Sequence, residues 1–107
     1  MGTEPGKKAD VITRCEEHAR AGRHDEAIEC YEEALETDPE NAVLWLGKCN
    51  ELKVVGKHEE ALECYNTALR YDPKSCQAWI AKGNTLVRLH RDDEAMECFT
   101  KARRVRK

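Results

Sequence analysis

The chain has 107 residues, 40% hydrophobic and 36% charged, with 18 Lys+Arg against 21 Asp+Glu. That length suits a single domain, and the mixture is too apolar for full disorder. The near-balanced charge gives no argument for nucleic acid or an anionic surface, and no apolar run approaches the ~20 residues that span a bilayer.

Residues 1–8 read as a flexible tail. No apolar stretch follows its lysines, so no secretory signal is expected, and Gly6 stands where a myristoylation pattern wants a hydroxyl. Beyond it an internal period governs the sequence. The run from Asp25 through Ala27 and Cys30 to Tyr31 returns from Glu59 to Tyr65, and again from Asp93 to Phe99, at steps of 34 residues. Gly22 and Gly56, Pro39 and Pro73, and Trp45 and Trp79 keep the same offset.

Within each unit the apolar spacing is helical: Ala27, Tyr31, Ala34 and Leu35 fall at i, i+4, i+7 and i+8, as do Ala61, Tyr65, Ala68 and Leu69. Trp45, Cys49 and Leu52 mark a preceding helix, echoed by Trp79, Gly83 and Leu86. The spacing predicts helices near 9–21, 24–37, 41–55, 58–71, 75–89 and 92–105, paired into hairpins over 8–41, 42–75 and 76–107. The prolines are expected in first helical turns, with Asp38 or Asp72 as caps. Trp45 and Trp79 are expected in the core, where truncation to Ala would cost about 3–5 kcal/mol. His90 replaces the turn glycine, so either that turn differs or the histidine is strained.

Six cysteines include no C-x-x-C. Cys15 and Cys49 are one period apart, as are Cys30, Cys64 and Cys98, and Cys76 lies outside both series. They read as reduced packing thiols of a cytoplasmic protein, with oxidation on the outer helices and structural zinc as lesser alternatives. Cys30, Cys64 and Cys98 are expected to be partly exposed.

These residues resemble the tetratricopeptide repeat (TPR) family. The middle unit matches its pattern with Trp45, Cys49, Leu52, Gly56, Ala61, Tyr65, Ala68 and Pro73. The first reads Val11, Cys15, His18, Gly22, Ala27, Tyr31, Ala34 and Pro39, and the third reads Trp79, Gly83, Leu86, His90, Ala95, Phe99 and Ala102. The resemblance implies an all-α fold, a right-handed superhelical solenoid of three antiparallel helix hairpins. It also implies a protein-interaction module, an adaptor or co-chaperone-like scaffold, with no catalysis and no cofactor.

In that register the first helices line the inner wall, each presenting one stripe. Ile12, Leu46 and Ile80 form an apolar row, Glu16, Asn50 and Asn84 a polar one, and Arg20, Lys53 and Arg88 a basic one. Such a groove suits a peptide or helix of a partner, with the amides donating and accepting and the basic row favouring an acidic group. The family's grip on a chaperone's terminal carboxylate would map onto Ile12 and Glu16, Gly47, and Gln77 and Ala81, none of which fits. Self-assembly through an uncapped last helix is the alternative. Contact of the basic run from Lys101 to Lys107 with an acidic partner is another, with nucleic acid disfavoured. No His, Ser or carboxylate arrangement forms an enzymatic constellation.

Overall fold

The computed structural model describes residues 7–106, with side chains described from Val11 onward; most of the tail expected over 1–8 lies outside the described residues. Six helices follow in order: α1 (Lys7–Arg20), α2 (His24–Thr37), α3 (Ala42–Val54), α4 (His58–Tyr71), α5 (Cys76–Arg88) and α6 (Asp92–Val105). There is no strand among the described residues, and the architecture is an all-α helical repeat solenoid. Its radius of gyration of 14.3 Å exceeds the roughly 13 Å of a compact chain of this length, as stacking along one axis requires.

The helices start and stop for local reasons. Acidic first turns oppose the dipole in α2, α4 and α6, through Asp25 and Glu26, Glu59 and Glu60, and Asp92 to Glu94. The starts of α3 and α5 are capped by side chains. Asn41 Oδ1 accepts from the Val43 and Leu44 amides at 3.0 and 3.3 Å, and Ser75 Oγ from the Ala78 amide at 3.2 Å. These caps correct the expectation for Asp38 and Asp72, which instead close α2 and α4. Pro39 and Pro73 therefore sit in the turns ahead of the caps, outside the first helical turn.

Each hairpin turn is a Schellman closure. Arg23, Lys57 and Arg91 amides bond back to the carbonyls of His18, Leu52 and Leu86 at 2.9, 2.9 and 2.8 Å. The residue before each lies in the left-handed region: Gly22 at φ 83°, Gly56 at φ 90° and His90 at φ 62°. The third turn keeps the geometry of the other two, and the histidine carries the strain.

Small residues at the hairpin crossings let the helices approach: Ala27, Ala61, Cys15 and Cys49 are fully buried, and Ala95 nearly so. Tyr31 reaches into the next unit, filling the space over Gly47. Phe99, in the last of the three units, lies over Gly83 of its own hairpin.

Three further expectations need correction. Trp45 and Trp79 are only half-buried. Their indole N–H groups donate to the Pro39 and Pro73 carbonyls at 2.7 and 2.8 Å, tying each Asp-Pro turn to the helix that follows. Lys48 lies over the first ring, and Lys82 and Lys101 over the second. Cys64 and Cys98 are buried, not partly exposed; Cys30 alone of that series is half-buried. Cys15 and Cys30 are not reduced packing thiols but a disulfide between α1 and α2, with Cα atoms 5.4 Å apart. That bond withdraws the support which reduced thiols lent to a reducing compartment.

Candidate functional site: the concave groove

The inner wall follows from which helices touch. α1 meets α3 and α3 meets α5, whereas α2, α4 and α6 do not meet one another. The first helix of each hairpin thus converges on one side, and the second helices fan out on the other.

Between α1 and α3 this wall opens into a groove of about 430 Å³. Five of the expected residues come together there, namely Ile12, Glu16, Arg20, Leu46 and Asn50. Lys53, Ile80, Asn84 and Arg88 do not line it. Ile80, Asn84 and Arg88 are exposed on α5, further along the stack. Lys53 belongs to another row: at the 34-residue step, the position level with Arg20 and Arg88 is Val54, which is 58% exposed. The basic row is therefore interrupted by an apolar side chain.

The groove also holds residues that the stripe did not predict. Val43 contributes an exposed apolar edge, Tyr31 and Gly47 form part of the floor, and Glu51 and Gln77 complete the lining. Tyr31 and Glu51 belong to the packing between units, a tertiary feature that the spacing along one helix does not contain.

Its electrostatics are set by two carboxylates. Glu16 pairs with Arg20 at 3.6 Å on the same helix, an exposed pair of small energetic weight. Glu51, 8% exposed, meets His24 Nδ1 at 2.6 Å and so links the first hairpin to the second. Burial, followed by the charges of Glu16 and Glu51, pushes the Tyr31 hydroxyl up to about 12, so it stays protonated at neutral pH. Asn50 is partly committed: its Oδ1 accepts from the Tyr65 hydroxyl at 2.5 Å. One period on, Phe99 has no hydroxyl to offer Asn84.

A larger opening of about 590 Å³ lies on the outer side between α2, α3 and α4, lined by Asp25, Glu29, Glu32, Trp45, Lys48 and Cys64 among others. Lys48 pairs across it with Glu32 at 3.3 Å. Among the described residues no helix is long and apolar enough to cross a membrane.

Three helix hairpins in register, with left-handed turns and a concave wall of first helices, define a helical-repeat protein. Comparisons agree. Residues 14–41 and 77–105 match models described as tetratricopeptide repeat, and residues 55–90 one described as TPR repeat. The chain belongs to the tetratricopeptide repeat family. No curated protein matches it. Among solved structures, it is similar to the second TPR of Spaghetti (RPAP3) bound to HSP90 peptide SRMEEVD. That match has a TM-score of 0.86 at 24% identity over 91% of this chain and 90% of that one. The first TPR of the same protein with the same peptide gives 0.87 at 22%, over 91% and 77%. The protein MamA gives 0.85 at 14%, over 96% of this chain and 60% of that one. At these identities the likeness is one of fold.

Proposed function

We propose that this protein is a protein-interaction module that holds a peptide segment or helix of a partner in the groove between α1 and α3. The observation carrying the reading is the groove itself, about 430 Å³ of open space that joins apolar Ile12, Leu46 and Val43 to charged Glu16 and Arg20. Recognition of this kind needs apolar contacts for affinity and a few polar groups for orientation. Peptide binding by two similar TPR structures supports the class of ligand.

The chemistry of the ligand differs from a terminal carboxylate. Ile12, Glu16, Gly47 and Gln77, which stand where a carboxylate clamp would be, all line this groove, and none is basic. With Glu51 close by, the site repels an added carboxylate. The matching ligand is an internal segment with an apolar side chain against Ile12, Val43 and Leu46, next to a basic residue facing Glu16. The Asn50 amide nitrogen supplies a donor to its backbone, since the amide oxygen is engaged by Tyr65.

The test is a selection from a peptide-display library on the wild-type chain and on a Glu16→Lys, Val43→Ser variant. Both positions are exposed, so the variant should keep the wild-type circular dichroism. The reading expects wild type to enrich apolar-basic peptides that the variant loses. Enrichment of the same peptides by both would place binding elsewhere.

A further inference from the structure

The disulfide of the first hairpin has a counterpart in the second. Cys15 and Cys30 are 15 residues apart, one on each helix of their hairpin. Adding the 34-residue period to both gives Cys49 and Cys64, at the same two positions of the next hairpin. The third hairpin has Gly83 in the first of these positions, so its Cys98 stands without a counterpart.

The surroundings of the second pair are those of two thiols already in place. Cys49 is fully buried at the helix crossing, and Cys64 is 6% exposed. Both belong to one buried cluster with Leu52, Ala61 and Tyr65, and Cys64 Sγ donates to the Trp45 carbonyl at 3.5 Å. Both are free thiols in this structure. Cys64, unlike Cys49, lines the open outer cavity beside Lys48 and Lys57, which gives a small oxidant a way in.

We infer that Cys49 and Cys64 are a second thiol–disulfide couple, a reversible modification site that staples α3 to α4 as Cys15–Cys30 staples α1 to α2. The oxidant class is a small disulfide such as oxidised glutathione. The Cys64 thiolate attacks one of its sulfurs, breaking that S–S bond and releasing one glutathione thiolate. The Cys49 thiolate then attacks the Cys64 sulfur of the mixed disulfide and releases the second glutathione. One S–S bond is broken and one is formed, the protein pair loses two electrons, and its two protons pass to the two glutathione thiolates. Burial pushes the Cys49 thiol far up, so this exchange proceeds through local opening of the hairpin or during folding. The half-buried Cys30 makes the first couple the quicker of the two.

The test refolds the reduced full chain in a glutathione redox buffer, alkylates it under denaturing conditions with N-ethylmaleimide, and maps the linked peptides by mass spectrometry. Of the six cysteines, two are expected to take label, Cys76 and Cys98, with links 15–30 and 49–64. In Cys64→Ser, Cys49 should join the labelled set while 15–30 persists. Dithiothreitol should return all six thiols. The inference is overturned by four labelled cysteines with 15–30 alone, by links from Cys49 or Cys64 to Cys76 or Cys98, or by glutathione left on Cys64 without closure.

Discussion

The strained turn at His90 offers a quantitative check on the repeat geometry. Its φ of 62° falls where Gly22 and Gly56 stand at 83° and 90°, and an L side chain there costs about 1–2 kcal/mol. Replacing it by glycine relieves that cost but returns about 0.4–1 kcal/mol of unfolded-state entropy. The His90→Gly variant is therefore expected to be more stable by about 0.5–1 kcal/mol, a rise in Tm of about 3–6 °C for a domain of this size. Gly56→Ala is the reciprocal change. No atom lies within 4 Å of the added methyl, so its cost is purely that of the backbone and should be of similar size and opposite sign. Thermal and urea unfolding followed by circular dichroism at 222 nm read both. A His90→Gly midpoint equal to or below wild type would refute the reasoning, because the exposed imidazole would then contribute more than the strain removes.

The other predictions concern packing. Gly47→Ala gains about 1 kcal/mol of helix propensity, but its methyl would overlap the Tyr31 ring. Forcing that ring aside costs about 1–3 kcal/mol, so urea unfolding should show net destabilisation. A stabilised variant would mean that Tyr31 moves freely. Replacing Cys15 and Cys30 together by Ser opens a loop of 15 residues and should cost about 3 kcal/mol, read as the loss in urea unfolding free energy. Trp79→Ala should cost about 2 kcal/mol, below the roughly 3–5 kcal/mol of a buried indole, because Trp79 is half-buried and held partly by its bond to the Pro73 carbonyl. A loss of 4 kcal/mol or more in thermal unfolding would return it to the core.

How far the sequence reached depends on the kind of information each feature holds. A 34-residue period and the Ala27–Tyr31–Ala34 spacing are properties of one chain in order, and the observed helix ends fall within about two residues of those read from them. The caps were less legible, because Asp38 and Asn41 are both cap-forming types and only the path of the turn decides between them. The Cys15–Cys30 bond joins two series that the period keeps apart, so comparing like with like concealed it. In the groove, Ile12 and Glu16 follow from one face of α1, and Leu46 from the equivalent face of α3. Tyr31 and Glu51 enter through contacts between helices, and Lys53 dropped out because its place in the period is one short of Arg20 and Arg88.

The central claim is that the groove between α1 and α3 is where a partner binds. Titrating a display-enriched peptide into the isotopically labelled protein and following backbone amide NMR shifts tests it most directly. The account predicts shifts concentrated at Ile12, Glu16, Val43, Leu46 and Asn50. Shifts concentrated on α2, α4 and α6, with these five residues unmoved, would contradict it.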